Sequence, residues 1–99
     1  MAMKVKVEMK FMYLLNEKDV DNYVKELQDY AKSKDKKFKY RKYDTVIYDV
    51  ESKMDIENER TYLKFYVSGA TDTVNIILDI LADVKTYLLE ELKIEKIED

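Results

Sequence analysis

Strict two-residue alternation across Arg60 to Ser68, RTYLKFYVS, constrains this chain more than any other feature. Thr61, Leu63, Phe65 and Val67 share one parity, and Arg60, Tyr62, Lys64, Tyr66 and Ser68 the other. Successive side chains of a strand point to opposite faces, so the segment predicts a strand with one buried and one solvated side. Such a strand needs partners and a cover for its apolar face. Val5, Val7, Met9, Phe11 and Tyr13 alternate in the same way with Lys4, Lys6, Glu8, Lys10 and Met12, which predicts a first strand. Residues 37–51 read as another, with Phe38, Tyr40, Val46, Tyr48 and Val50 inward and Tyr43 and Ile47 outward. A break at Lys42 and Asp44 suggests a bulge or bend within it. The polar run ESKMDIEN then reads as a loop, and Gly69, the one glycine of the chain, ends the following strand where unusual dihedrals or tight passage are needed.

Between these strands the period changes to that of a helix. Asn16 is a cap with Asp19 in the first turn, and Val20, Tyr23, Val24, Leu27, Tyr30 and Ala31 recur at helical spacing to about Lys34. Tyr23 and Tyr30 are expected in the core or at its rim. Thr71 caps a second helix that runs to about Glu91, with a main apolar stripe of Val74, Ile77, Leu78, Leu81, Val84 and Leu88. Ile76, Ile80 and Tyr87 form a second stripe, suited either to packing on the first helix or to an interface between copies. A short strand, Lys93 to Glu98, closes the order βαββαβ.

That order resembles the ferredoxin-like split βαβ arrangement, and the resemblance covers nearly the whole chain without resting on a sequence motif. It implies an α+β sandwich, a four-stranded antiparallel sheet with two helices on one face and the other face open. The 99 residues, 46% hydrophobic, are enough for a single ferredoxin-like domain, residues 1–99, with a modest core. No apolar run approaches the roughly 20 residues of a membrane span and no cleaved leader is evident, so a soluble, cytoplasmic protein is expected. Zero Cys and zero His remove disulfides, thiolate chemistry, the commonest zinc ligand and the commonest base near neutral pH. No cofactor, metal or catalytic residue is expected. ESKMDIENE also lacks the glycine and ligand spacing of a calcium loop.

Charge is uneven although the net value is only -3. Lys32 to Tyr43 carries seven basic residues and one acid, and Asp44 to Glu59 six acids and one Lys. Within the basic block, KKFKYRKY interleaves Lys and Arg with aromatics. On the open face, Lys4, Lys6, Lys37, Lys39, Arg41, Tyr43, Lys64 and Tyr66 would form a basic and aromatic half. Met12, Leu14, Ile47 and Tyr62 would form an apolar half. The former pattern suits phosphate neutralisation and base stacking, the latter another protein surface.

The open face also resembles that of RNA-recognition-motif domains, which share the element order and stack bases on aromatics of the first and third strands. Tyr62 and Tyr66 in RTYLKFYV occupy the outward positions of that motif. Thr61 stands where the motif has glycine, and Lys6, Glu8 and Lys10 stand where the first strand would carry an aromatic. Two functions are therefore expected. The first is a non-enzymatic protein-interaction module, homodimeric through Met12, Leu14, Ile47 and Tyr62 or through Ile76, Ile80 and Tyr87. The alternative is a single-stranded nucleic-acid binder that uses Lys37, Lys39, Arg41, Tyr43, Lys64 and Tyr66.

Overall fold

The computed structural model describes residues 2–34 and 45–98. The elements are β1 (Ala2–Phe11), α1 (Glu17–Lys34), β2 (Val46–Asp55), β3 (Arg60–Ala70), α2 (Thr71–Leu88) and β4 (Leu89–Glu98). The strands form one antiparallel sheet in the order β2-β3-β1-β4. The two most regularly alternating segments are thus the two central strands. Val5 stands opposite Val67, Val7 opposite Phe65 and Met9 opposite Leu63. All six are buried together with Val20 and Leu27 of α1 and Val74, Ile77 and Leu81 of α2. Each fully buried aliphatic or aromatic side chain contributes about 1.5–3 kcal/mol, so this helix-facing layer is the main source of stability.

Local chemistry sets the ends of the elements. The Asp19 N–H donates to Asn16 Oδ1 at 2.9 Å and the Asn16 N–H to Asp19 Oδ2 at 3.3 Å, a reciprocal capping box that starts α1. The β2–β3 turn is Ile56–Glu59, closed by Asn58, whose N–H and side-chain amide donate to the Asp55 carboxylate at 3.2 and 2.8 Å. Asn58 therefore holds the Asp55 carboxyl below its usual pKa. No glycine is needed in this turn because Glu59 itself adopts the left-handed conformation, with φ 55°. At Gly69 the backbone has φ +154°, and a Cβ there would stand 2.6 Å from the Thr45 Cα. The expected tight passage is the close approach of the chain entering β2.

Several boundaries differ from those expected. β1 ends at Phe11, so Met12, Tyr13 and Leu14 lie in the connection to α1 and are exposed. Residues Glu51 to Asp55, read as loop, are strand. Ala70, not Thr71, is the cap residue of α2, and that helix stops at Leu88 because Leu89 already has extended dihedrals. β4 accordingly begins four residues early: EEL favours helix intrinsically, but pairing Leu92 and Ile94 opposite buried Met9 and Val7 prevails. Tyr30, expected at the core rim, is 49% exposed.

The parity of β2 is also reversed at its start. Ile47 stands opposite buried Val67 and packs on the core, whereas Tyr48 stands opposite Tyr66 on the open face. The ladder then skips from Tyr48 to Glu51, with Asp49 at φ 52°. This extra residue returns Val50 to the side of α1, where it lines a depression with Val24 and Gln28.

Tyr23 leaves a buried polar group unpaired in the helix-facing layer. Its ring meets Phe11 edge-on at 5.7 Å, but its buried hydroxyl has no hydrogen-bond partner among the described residues. Burial, reinforced by Tyr13, pushes its pKa up to about 12. Removing an unsatisfied buried hydroxyl relieves a desolvation penalty, so Tyr23→Phe is expected to stabilise the fold by about 1 kcal/mol. A folded-state pKa above the usual value of 10 favours the neutral phenol, so the wild-type protein holds its full stability below pH 10 and loses stability relative to Tyr23→Phe as pH rises towards 12. Thermal melts at pH 8 and pH 11 should therefore show a Tm advantage for Tyr23→Phe that widens at the higher pH; an advantage that shrinks there would refute the assignment.

Candidate functional site

The open face of the sheet is a charge lattice set by strand register. One transverse row reads Glu51, Lys64, Glu8, Lys93, from β2 through β3 and β1 to β4. The next row towards the hairpin reads Lys53, Tyr62, Lys10, Glu91, and the row on the other side reads Tyr48, Tyr66, Lys6, Glu95. Opposite charges directly across a strand pair attract, and this arrangement sets nearly every cation beside an acid.

Ion pairs form across the strands, along β1 and at the sheet's end. Lys6 Nζ lies 2.9 Å from Glu8, Lys64 Nζ 2.9 Å from Glu51, and Glu90 bridges Lys10 at 3.3 Å and Arg60 at 3.0 Å. Arg60 also donates from Nη1 to the carbonyls of Asn58 and Glu59, which fixes its guanidinium at the root of the hairpin. The Lys6 partnership holds the Glu8 carboxyl below its usual pKa, and Arg60 together with Lys10 does the same for Glu90. The partner ammonium groups of Lys6, Lys10 and Lys64 are raised by Glu8, Glu90 and Glu51.

The aromatics are engaged in the same fashion. Tyr48 and Tyr66 stack with centroids 5.7 Å apart and planes inclined by 24°, and the Lys4 ammonium lies 5.7 and 6.0 Å from the two ring centres. Lys10 lies 5.6 Å from the centre of the Tyr62 ring. These are cation–π distances. A depression of about 370 Å³ on this face is lined by Lys6, Glu8, Glu51, Lys53, Tyr62 and Lys64 among others, so both charge signs surround it.

The structure separates the two groups of residues expected on the open face. Of the basic and aromatic set, Lys64 and Tyr66 are adjacent on β3, but Glu51 holds the first and Tyr48 covers the second. Lys37, Lys39, Arg41 and Tyr43 lie outside the described residues. The apolar set does not assemble: Tyr62 is on the open face, Ile47 on the helix face, and Met12 and Leu14 in the β1–α1 connection. On α2, Ile76 and Ile80 are half-buried and pack on the core, while the side chain of Tyr87 lies outside the description. Among the described residues no group of three or more Asp or Glu is arranged to hold a metal ion, and no helix is long and apolar enough to cross a membrane.

Two important residues escaped the sequence pattern. Glu90 was hidden in the apparent extension of α2, yet it joins the ends of β1, β3 and β4. Gln28 is a polar residue on α1 whose side-chain amide donates to the Thr45 carbonyl at 3.2 Å and accepts from the Ile47 N–H at 3.2 Å. It takes backbone groups at the start of β2 that a neighbouring strand would otherwise take. No periodicity signals such a role.

Element order, strand order and the helix-covered, charge-studded sheet define a ferredoxin-like α+β sandwich. No protein-family model matches the chain, and no curated protein does. Among solved structures, the de novo designed protein Foldit4 aligns with a TM-score of 0.61 at 12% identity, covering 100% of this chain and 99% of that one. The de novo designed protein Ferredog-Diesel aligns with a TM-score of 0.55 at 15% identity, covering 94% of this chain and 84% of the other. Both are similar in fold.

Proposed function

We propose that this chain is a non-enzymatic protein-interaction module that works as a homo-oligomer. The observation that carries this reading is the placement of its exposed apolar side chains. Ile94 and Ile97 on β4, Val50 and Met54 on β2, and Ile56 at the hairpin tip stand along the margins of the sheet. Exposed apolar groups arranged along margins favour a second protein surface over a small ligand, which needs a concave site. The open face supports the non-enzymatic part. Glu8 and Glu90 are held ionised by adjacent cations, the direction opposite to that of a general acid or base poised near neutral pH.

Light scattering coupled to size exclusion, over a micromolar dilution series, tests the oligomeric part. The expected result is a mass twice that of the chain, falling on dilution. A constant single-chain mass at the highest concentration would overturn it.

A further inference from the structure

We infer that two copies of this chain associate through the outer edge of β4, antiparallel about a two-fold axis at Ile94, to make one continuous sheet. This rests on the homo-oligomer reading and names the surface responsible. The two edges of the sheet are unequal. At β2, Gln28 occupies backbone groups near Ile47, and the irregularity at Asp49 and Val50 breaks the ladder. Bulges and covered backbone are common protections against edge pairing. At β4 no described strand lies beyond, and Lys93 to Ile97 are all exposed. Its regular stretch runs from Glu91 to Lys96, between register shifts at either end.

Lys residues on an edge ordinarily discourage pairing. Here the charge order reverses that effect for one register. Lys93 and Glu95 stand opposite Glu8 and Lys6 and so share the open face, while Ile94 stands opposite Val7 on the helix side. With Ile94 on the axis, Lys93 meets Glu95 of the second copy twice over, and the two Ile94 side chains, each 41% exposed, meet on the helix face. Centring on Lys93 or Glu95 instead sets like charges face to face. Centring on Leu92 pairs Glu91 with Lys93, but the register shift beyond Glu91 limits regular pairing to residues 91–93, whereas the Ile94 register keeps 92–96. Opposite charges across an antiparallel pair attract and like charges repel, so the edge selects its register.

The test uses the absence of native cysteine. In the full chain, Ile94→Cys places its thiol opposite its own copy, at a Cα separation compatible with a disulfide. Air oxidation should convert Ile94→Cys to a covalent dimer at least several-fold faster than Leu92→Cys or Ile97→Cys. In parallel, Lys93→Glu and Glu95→Lys should each weaken self-association by on the order of tenfold. Mixed together they should form a one-to-one dimer, because the carboxylate introduced at position 93 of one copy then faces the ammonium introduced at position 95 of the other. Circular dichroism checks that both variants keep the fold, since each change also meets Glu8 or Lys6 within the sheet. A dimer that cross-links fastest at Leu92→Cys or Ile97→Cys, or is indifferent to the charge changes, overturns this interface and leaves the homo-oligomer reading standing. A chain that is monomeric throughout overturns both.

Discussion

Gly69→Ala is expected to lower stability by about 3 kcal/mol, which for a chain of this size is a fall in Tm of about 15 °C. Two effects combine. The backbone at Gly69 has φ +154°, a conformation side chains rarely adopt, and the added Cβ would stand 2.5 Å from Thr45 Oγ1 and 2.6 Å from Thr45 Cα. The second contact decides the outcome, because a hydroxyl can rotate away whereas the backbone of Thr45 cannot move without disturbing the start of β2. Thr45→Ala should therefore fail to rescue Gly69→Ala. Chemical denaturation of the two single variants and the double variant measures this directly; recovery of more than half the loss in the double variant would place the strain in the side chain instead.

How much of this was legible in the sequence follows from where the two-residue period holds. β1 and β3 are central strands without irregularity between them, so parity alone assigns Val5, Val7, Leu63, Phe65 and Val67 to the core and Lys6, Lys64 and Tyr66 to the open face. β2 is an edge with an extra residue at Asp49 and Val50, and there parity misleads. Val46, Tyr48 and Val50 outweigh Ile47 in an apolar count, yet Tyr48 is amphipathic and sits beside Tyr66 and Lys4. Ile47 and Val50, three apart, face the helix layer on either side of the bulge. The sequence placed the irregularity at Lys42 and Asp44, outside the described residues; the ladder breaks later.

The electrostatics of the open face escape the sequence for a related reason. Lys64 and Tyr66 look like a polyanion surface when only β1 and β3 are considered. Their neighbours across β2 are Glu51 and Tyr48, and the end of β1 receives Glu90 from β4. Edge strands supply Glu51, Tyr48 and Glu90, and in those strands the two-residue period is broken or masked by helix-forming residues. The fold was thus legible from the centre of the sheet outward, while the site's electrostatics depend on its edges.

Thr61→Val should cost about 2 kcal/mol, because one buried hydroxyl joins the β1–α1 connection to the sheet. Thr61 is fully buried at the start of β3. Its Oγ1 accepts from the Leu15 N–H at 2.8 Å and its hydroxyl donates to the Tyr13 carbonyl at 2.8 Å. Valine keeps the shape but leaves both backbone groups without that partner, just before the Asn16 cap that starts α1. Loosening this connection frays the entry to the helix and frees Met12, Tyr13 and Leu14, which are already exposed. Thr61→Ser preserves the hydroxyl and removes only a methyl group, so its loss should be less than half as large. Amide exchange provides the readout that packing alone would not move: the Leu15 N–H should lose protection in Thr61→Val and keep it in Thr61→Ser. Equal destabilisation by the two variants, with Leu15 protected in both, would show that the methyl group rather than the hydrogen bonds holds this corner.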